Sequence, residues 1–552
     1  MRSTIKIVIL LFFICTSMSG ASFPDMEKYM RQHALIWEQL PMQWNEGAFL
    51  GNGLVGMMVY ADSTLNALVF HLGRPDVTDH RKAPYRKTSI GTEEADKMVD
   101  FCRLDVGKML LFPEGKILSG TFYLDIYNAE LTGHLKTDKG DLTFHAYTPQ
   151  PEEVNIVEVS SGVPYRWKGI PGNPCSPRIR VFPHLKEKLK YKDNPAPVVD
   201  QKDKEGSWVQ SLLAGGDYAT YWKEVPGGKS RSVLYVSTAN EVPASSLSLA
   251  KAMKTVEATQ ITGTKLLKQK TRQWWNAYHE RSFLSIPDKK LENFYFIQMY
   301  KLATCSHPDG PAMDVMGTFF KLSPWPSFWW NLNIQLTYMP IGPANRMEQG
   351  KNFQRLMDEV FPSLVRSIEP CKIGDYTWAL QNYYMYLRYA GADWQDIKQQ
   401  VVPKALDAFA VFDKILCYKE NTWHLTHIES PEYEGFQKYN DSNYGLASLS
   451  WLLQTLIACH DRTSSTHPDY ARWKEILTRL APYPTNENGL MIAANKPLEK
   501  SHRHYSHLLA FYPFRLLHPD VPENRKFLEK SIEHWLSLED GKGLAGYSYT
   551  GA

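Results

Sequence analysis

Apolar and polar positions change their spacing part way along the chain. From about Leu50 to Ser237 they alternate in short runs, as in Leu142, Phe144 and Ala146, or in Ser232-Val233-Leu234-Tyr235-Val236-Ser237. A period of two puts successive side chains on opposite faces of a strand. Turn formers such as Gly215-Gly216-Asp217 and Pro226-Gly227-Gly228-Lys229 separate the runs. The pattern therefore predicts an antiparallel β-sandwich over residues 22–245. Over residues 246–285 Ala, Lys, Leu and Thr dominate with few turn residues, and a helical linker is expected, leading through Trp274-Trp275. From Leu291 onward the apolar spacing becomes helical, as in Val402, Ala405, Leu406, Phe409 and Phe412, then Leu446, Leu449, Leu453 and Leu456. By itself this predicts many helices packed in pairs over residues 286–552, with loops rich in Pro, His and Asn.

Composition narrows the partners. At 552 residues, 43% hydrophobic and 22% charged, the chain is globular and too long for one ordinary core. Its 62 basic and 59 acidic groups leave a net charge of +3, which gives nucleic acid no electrostatic hold. Arg2 and Lys6, then the apolar run from Ile7 to Cys15, then Ser17, Ser19, Gly20 and Ala21 have the layout of a secretory signal over residues 1–21. Export to the periplasm or the medium is the expectation, and the run is too short to span a bilayer as a mature helix. The remaining cysteines, Cys102, Cys175, Cys305, Cys371, Cys417 and Cys459, form no CxxC pair and match no zinc or iron–sulfur spacing. No metal or cofactor is expected, and both disulfides and buried free thiols remain open.

The segment Trp329-Trp330-Asn331-Leu332-Asn333-Ile334-Gln335-Leu336-Thr337-Tyr338-Met339-Pro340, followed by Asn345 and Glu348, sets carboxamides among aromatic residues where a plain core helix would carry Leu. Rings stack on the C–H faces of a pyranose and amides bond its hydroxyls. A sugar is the partner these residues suit. The segment resembles glycoside hydrolase family 95, the inverting α-L-fucosidases and relatives, whose motif has the form Asn-x-Asn-x-Gln-x-x-Tyr followed by Pro and then Asn and Glu. Three further blocks match in order: Leu50-Gly51-Asn52-Gly53-Leu54-Val55-Gly56, Ser430-Pro431-Glu432, and His502-Arg503-His504-Tyr505-Ser506-His507-Leu508 with Tyr512-Pro513 behind it. The resemblance implies an N-terminal β-sandwich, a linker and an (α/α)6 toroid. The chain ends where the family continues into another barrel helix and a small β domain, so the last toroid helices are expected to be missing.

Inversion needs an acid for the leaving oxygen and a base that activates water on the opposite face. The resemblance makes Glu432 the acid, over its neighbours Glu429 and Glu434. Three carboxylates so close in sequence are expected to repel and to keep one protonated. Asn331 and Asn333 match the family's water-holding amides. The aspartate that orients them corresponds to Asp540, with Glu539 as the rival, ahead of Gly546-Tyr547-Ser548. His504 is expected on a sugar hydroxyl, Arg503 in an ion pair, and His507 as a satisfied core or supporting histidine. Trp329, Trp330, Tyr338 and Trp378 are the candidate sugar contacts. His502, His504 and His507 have spacing a zinc site could use, but no further ligand is identifiable.

The chain departs from the family in four places. Trp329 stands where many members have a sugar-binding His, Tyr547 replaces a Trp, the stretch from Phe361 to Trp378 is abbreviated, and the usual Leu-Asn-Glu region near the N-terminus reads Phe70-His71-Leu72-Gly73-Arg74-Pro75-Asp76. The substrate implied is an oligo- or polysaccharide ending in an α-linked L-fucose or L-galactose. Two other classes stay open: a polysaccharide lyase using Tyr338, His504 and Arg503, and a glycan-binding relative without turnover.

Overall fold

The computed structural model describes residues 25–79, 81, 102–241, 247–328, 331–366, 368–435 and 437–551. The expected signal segment and both Trp329 and Trp330 lie outside them. Nine strands form one antiparallel sheet: β1 (Leu35–Trp37), β6 (Ile117–Asp125), β7 (Glu130–Thr137), β8 (Asp141–Tyr147), β9 (Val154–Ser161), β11 (Val198–Gln201), β12 (Glu205–Ser211), β13 (Asp217–Pro226) and β14 (Arg231–Glu241). Their order is β1-β6-β7-β8-β9-β14-β13-β12-β11. A second sheet has the order β10-β5-β4-β3-β2, from β2 (Ala48–Gly51), β3 (Gly56–Asp62), β4 (Ala67–Gly73), β5 (Lys108–Pro113) and β10 (Tyr165–Ile170). Leu124, Leu131 and Leu142 of the first sheet share one core with Met57, Val59 and Leu111 of the second, as two packed sheets do. Alternation along β7, with Leu131, Gly133, Leu135 and Thr137 buried between exposed residues, is what registers the strand against that core.

Two helices, α1 (Ser248–Thr262) and α2 (Thr264–His279), follow. Ala252, Val256 and Leu267 cover Tyr147, Ile156, Tyr221 and Tyr235 on the outer face of the large sheet. Helix α3 (Lys289–Cys305) then opens the helical region, where α4 (Asn333–Tyr338), α5 (Ile373–Tyr389), α6 (Asn443–Thr463) and α7 (Pro522–Ser537) bear on the site. A separate core joins α4, α5 and α6 through Ile334, Trp378, Leu380, Tyr444 and Leu449. Short hairpins, such as Leu416–Lys419 with Thr422–Leu425, interrupt the helices.

The two parts are welded together. Phe296, Tyr300 and Ala303 of α3 belong to the sandwich core, and the Tyr300 hydroxyl donates to the Phe49 carbonyl at 3.2 Å. The buried Arg103 guanidinium reaches Asp314 at 3.0 Å and the Gly317 carbonyl at 2.6 Å. The block from Leu50 to Gly56 is the β2–β3 turn, and it seats against the end of α3. Gly53 has φ +81, and a Cβ there would stand 2.3 Å from the Ser306 carbonyl carbon, so both handedness and contact demand glycine. All six cysteines of the described chain are free thiols, with Cys102, Cys371 and Cys459 buried. No helix among the described residues is long and apolar enough to cross a membrane.

Candidate active site

Asn331 and Leu332 hold left-handed backbone, φ 59 and 71, just before α4. Such a conformation costs a non-glycine residue roughly 1–2 kcal/mol and turns Asn331 toward a small cavity. The cavity holds about 10 Å³, room for a single water, and is lined by Asn331, Leu332, Trp378, Pro431, Tyr444, His504, Tyr505, Ser506 and Leu509. Three of the motifs separated in sequence therefore meet: the carboxamide segment, the Ser-Pro-Glu loop and the histidine block. Ser430 Oγ and Ser506 Oγ lie 2.8 Å apart in the interior and fasten the second to the third. The carbonyl of Pro431 stands 3.1 Å from His502 Nε2.

Glu432, at φ 55, is half-buried and ion-paired with Arg503, and its Oε2 lies 3.2 Å from His504 Nε2. A guanidinium in contact favours the carboxylate form. Burial and the Arg503 charge push His504 down to about 3, and burial with His504 pushes His502 down to about 4. Both rings are neutral at physiological pH, so His504 can donate or accept but carries no charge. The C-terminal segment braces this block: Trp535 Nε1 donates to the His502 carbonyl at 2.7 Å, Ser548 Oγ to the Arg503 carbonyl at 2.7 Å, and Ser501 N to Glu539 Oε2 at 2.8 Å.

The three neighbouring carboxylates do not share one field. Burial pushes Glu429 up, beside Cys371 at 3.5 Å. Glu434 is held low by a hydrogen bond from Lys496. Glu432 faces Arg503. Left-handed turns at Glu432, Glu434 and Gly435 splay the side chains apart, which replaces the expected mutual repulsion by three separate environments.

Other expected residues fall in varied places. Trp378 is buried and lines the cavity, and its indole N–H has no hydrogen-bond partner among the described residues; the Asn331 side-chain oxygen has none either. Asn333 is exposed at the start of α4, its carbonyl accepting from Thr337. Tyr338 is away from this cavity. It stacks on Phe353, donates to Asn352 Oδ1 at 2.9 Å and accepts from Met313 N at 2.8 Å, so its hydroxyl is engaged inside the fold. Asp540 is exposed at φ 53, and among the described residues no hydrogen bond joins it to Asn331 or Asn333. His507 is buried, but neither ring nitrogen finds a partner among the described residues. It is a core histidine packed at an edge on Trp535, without the satisfaction expected of it. Among the described residues no three His, Cys, Asp or Glu side chains group as a metal site.

Two residues of the site were not singled out from the sequence. Tyr444, in the first turn of α6, lines the cavity, and its hydroxyl donates to Asp375 Oδ1 at 2.5 Å. An aspartate in the first turn of a helix reads as a partner for the helix dipole, which hid Asp375.

Residues 370–548 match the glycosyl hydrolase family 95 catalytic domain. That stretch contains Trp378, Tyr444, Glu432 and the histidine block, while Asn331 and Asn333 lie before it. No curated protein matches the chain. In fold it is similar to a putative kojibiose phosphorylase from the human microbiome, with TM-score 0.58 and 9% identity over 84% of this chain and 72% of that one. It is also similar to a bacterial glucoamylase complexed with acarbose, with TM-score 0.50 and 9% identity over 90% of this chain and 81% of that one. These likenesses show the fold, an antiparallel β domain joined to helices of the (α/α)6 toroid class. With the match to the glycosyl hydrolase family 95 catalytic domain over residues 370–548 laid on that fold, the chain is a glycoside hydrolase.

Proposed function

We propose that this hydrolase is an inverting exo-glycosidase that removes a terminal α-linked L-fucose or L-galactose from an oligo- or polysaccharide. The observation that carries the reading is the meeting of Asn331, the Glu432 loop and His504 around one cavity. Glu432 serves as the acid. When substrate displaces the half-exposed Arg503, the cation that favours the carboxylate is gone, Glu432 takes up a proton from solvent, and that proton passes to the leaving oxygen as the glycosidic bond breaks. The buried Asn331 oxygen, without a partner among the described residues, is the acceptor offered to the water. Asn333 and Asp540, both exposed and outside the cavity lining, are the further residues assigned to the water side in this scheme. His504, neutral and reaching Glu432, bonds the sugar hydroxyls, and Trp378 offers its ring. Export belongs to the same proposal and rests on the layout of residues 1–21.

The test is hydrolysis of aryl α-L-fucosides, α-L-galactosides and α-L-rhamnosides by the protein. Release from the first or second supports the proposal. Release from the rhamnoside alone corrects the sugar, and unsaturated products from a uronate polysaccharide with no glycoside cleaved would replace the scheme by a lyase.

A further inference from the structure

Behind the cavity stands a buried acid that connects two of its walls. Asp375, in the first turn of α5, is 7% exposed. Its Oδ1 accepts the Tyr444 hydroxyl at 2.5 Å, and its backbone carbonyl accepts Gln335 Nε2 at 3.0 Å. Gln335 belongs to α4, the helix that begins at the Asn331-Leu332 turn, and its own carbonyl accepts Asn382 Nδ2 at 2.8 Å from α5. Tyr444, at the start of α6, lines the same cavity as Asn331. The neighbouring residue makes the fit possible, since a Cβ on Gly374 would stand 2.3 Å from Tyr444 Cε1. The Tyr444 ring thus lies directly on the α5 backbone, and a one-methyl thickening there would displace it.

We propose that Asp375 is a positioning residue for the hydrolysis: its carboxyl clamps Tyr444 in the cavity wall while its backbone carbonyl holds α4, the helix that follows Asn331, and its charge state sets how firmly Tyr444 is held. The inference rests on this cavity being the reaction site, not on which sugar fills it. Three groups face the carboxyl electrostatically: Tyr444 from α6, Glu429 from the short strand Ile428–Glu429, and Lys372 from the turn before α5. Burial pushes Asp375 up to about 7. Tyr444 and Lys372 pull the other way, and Glu429 adds to the rise. The ionised form is the stronger acceptor for a hydroxyl, so the clamp tightens as pH rises through neutrality.

The variants Asp375→Asn and Asp375→Ala separate clamp from charge. Asn keeps an acceptor for Tyr444 and cannot ionise, while Ala removes the acceptor. With whichever aryl glycoside is cleaved, the wild-type kcat/KM profile is expected to bend near pH 7. The bend should vanish in Asp375→Asn, and Asp375→Ala should lose about tenfold or more in kcat at every pH, the order of effect expected from misplaced catalytic groups. A purely structural role would scale activity with the folded fraction and leave the bend in place. A substrate-free readout accompanies this: in protein carrying 13Cζ-tyrosine, the resonance assigned by Tyr444→Phe should titrate near pH 7 and stay flat in Asp375→Asn. A bend that persists in Asp375→Asn, or a wild-type Tyr444 signal flat from pH 5 to 9, overturns the proposal. If no glycoside is cleaved, the resonance still decides it, so a wrong substrate class and a wrong clamp are told apart.

Discussion

Two asparagines in tight turns, Asn52 and Asn331, are used in opposite ways. Asn52 is fully buried, and its amide spends every polar atom within the fold: Nδ2 donates to the Pro149 and Glu152 carbonyls at 2.8 and 2.9 Å, while Oδ1 accepts from Leu54 N and Val55 N, both at 3.0 Å. It closes the β2–β3 turn that seats against α3. Asn331 sits in left-handed backbone with its Oδ1 buried and unpartnered among the described residues, at the wall of the cavity. A buried acceptor without a donor costs roughly 1–3 kcal/mol, which a fold tolerates where a ligand or water is to supply the donor. The same side chain is structural where its bonds are complete and functional where they are left open.

The largest expected effect is outside the pair itself: Glu432→Gln should lower hydrolysis of an unactivated glycoside by about 100-fold to 10⁴-fold, the range for a general acid, with thermal unfolding unchanged. Asn331→Ala should cost about 100-fold in kcat/KM and leave stability equal or higher, since an unsatisfied acceptor is removed. Asn52→Ala should do the reverse, losing about 2–4 kcal/mol in urea unfolding as four hydrogen bonds disappear, with kcat/KM per folded molecule unchanged. If both substitutions act alike, the contrast between the turns is wrong.

Asp375 gives a pH-dependent version of the same contrast. Its folded value of about 7 lies above the ordinary 3.8, so the native state binds the proton more tightly than the unfolded chain. The stability this confers is full below about pH 3.8 and is lost as pH rises through 7. Asp375→Asn carries no such loss. Its stability relative to wild type should therefore grow between pH 4 and pH 8, by at most about 4 kcal/mol at ~1.4 kcal/mol per unit, as read by unfolding at the two pH values. The smallest effect is expected at Tyr338. Tyr338→Phe should cost about 1 kcal/mol through its lost bond to Asn352 and leave KM unchanged, whereas a raised KM would restore it as a sugar contact.

Much of the fold was legible because it depends on short-range periodicity. Leu142, Phe144 and Ala146 are buried as alternation required, and Leu446, Leu449, Leu453 and Leu456 are buried along one helix. The first strand, Leu35–Trp37, was missed because three residues are too few to show a period, and the small hairpins among the helices were missed for the same reason. The site was legible only as a set of blocks. What each group does there depends on partners distant in sequence: Glu432 meets Arg503 across 71 residues and Tyr444 meets Asp375 across 69. The field on Glu429 and the idle nitrogens of His507 likewise arise from packing, which no local pattern reports.

The most direct test of the account is the anomer first released from an α-L-fucoside or α-L-galactoside, followed by 1H NMR before mutarotation. The account predicts the β-L-sugar first, because water held at Asn331 attacks the face opposite the oxygen protonated by Glu432. The α-anomer appearing first would contradict it, and would require a nucleophilic carboxylate where the structure places a carboxamide.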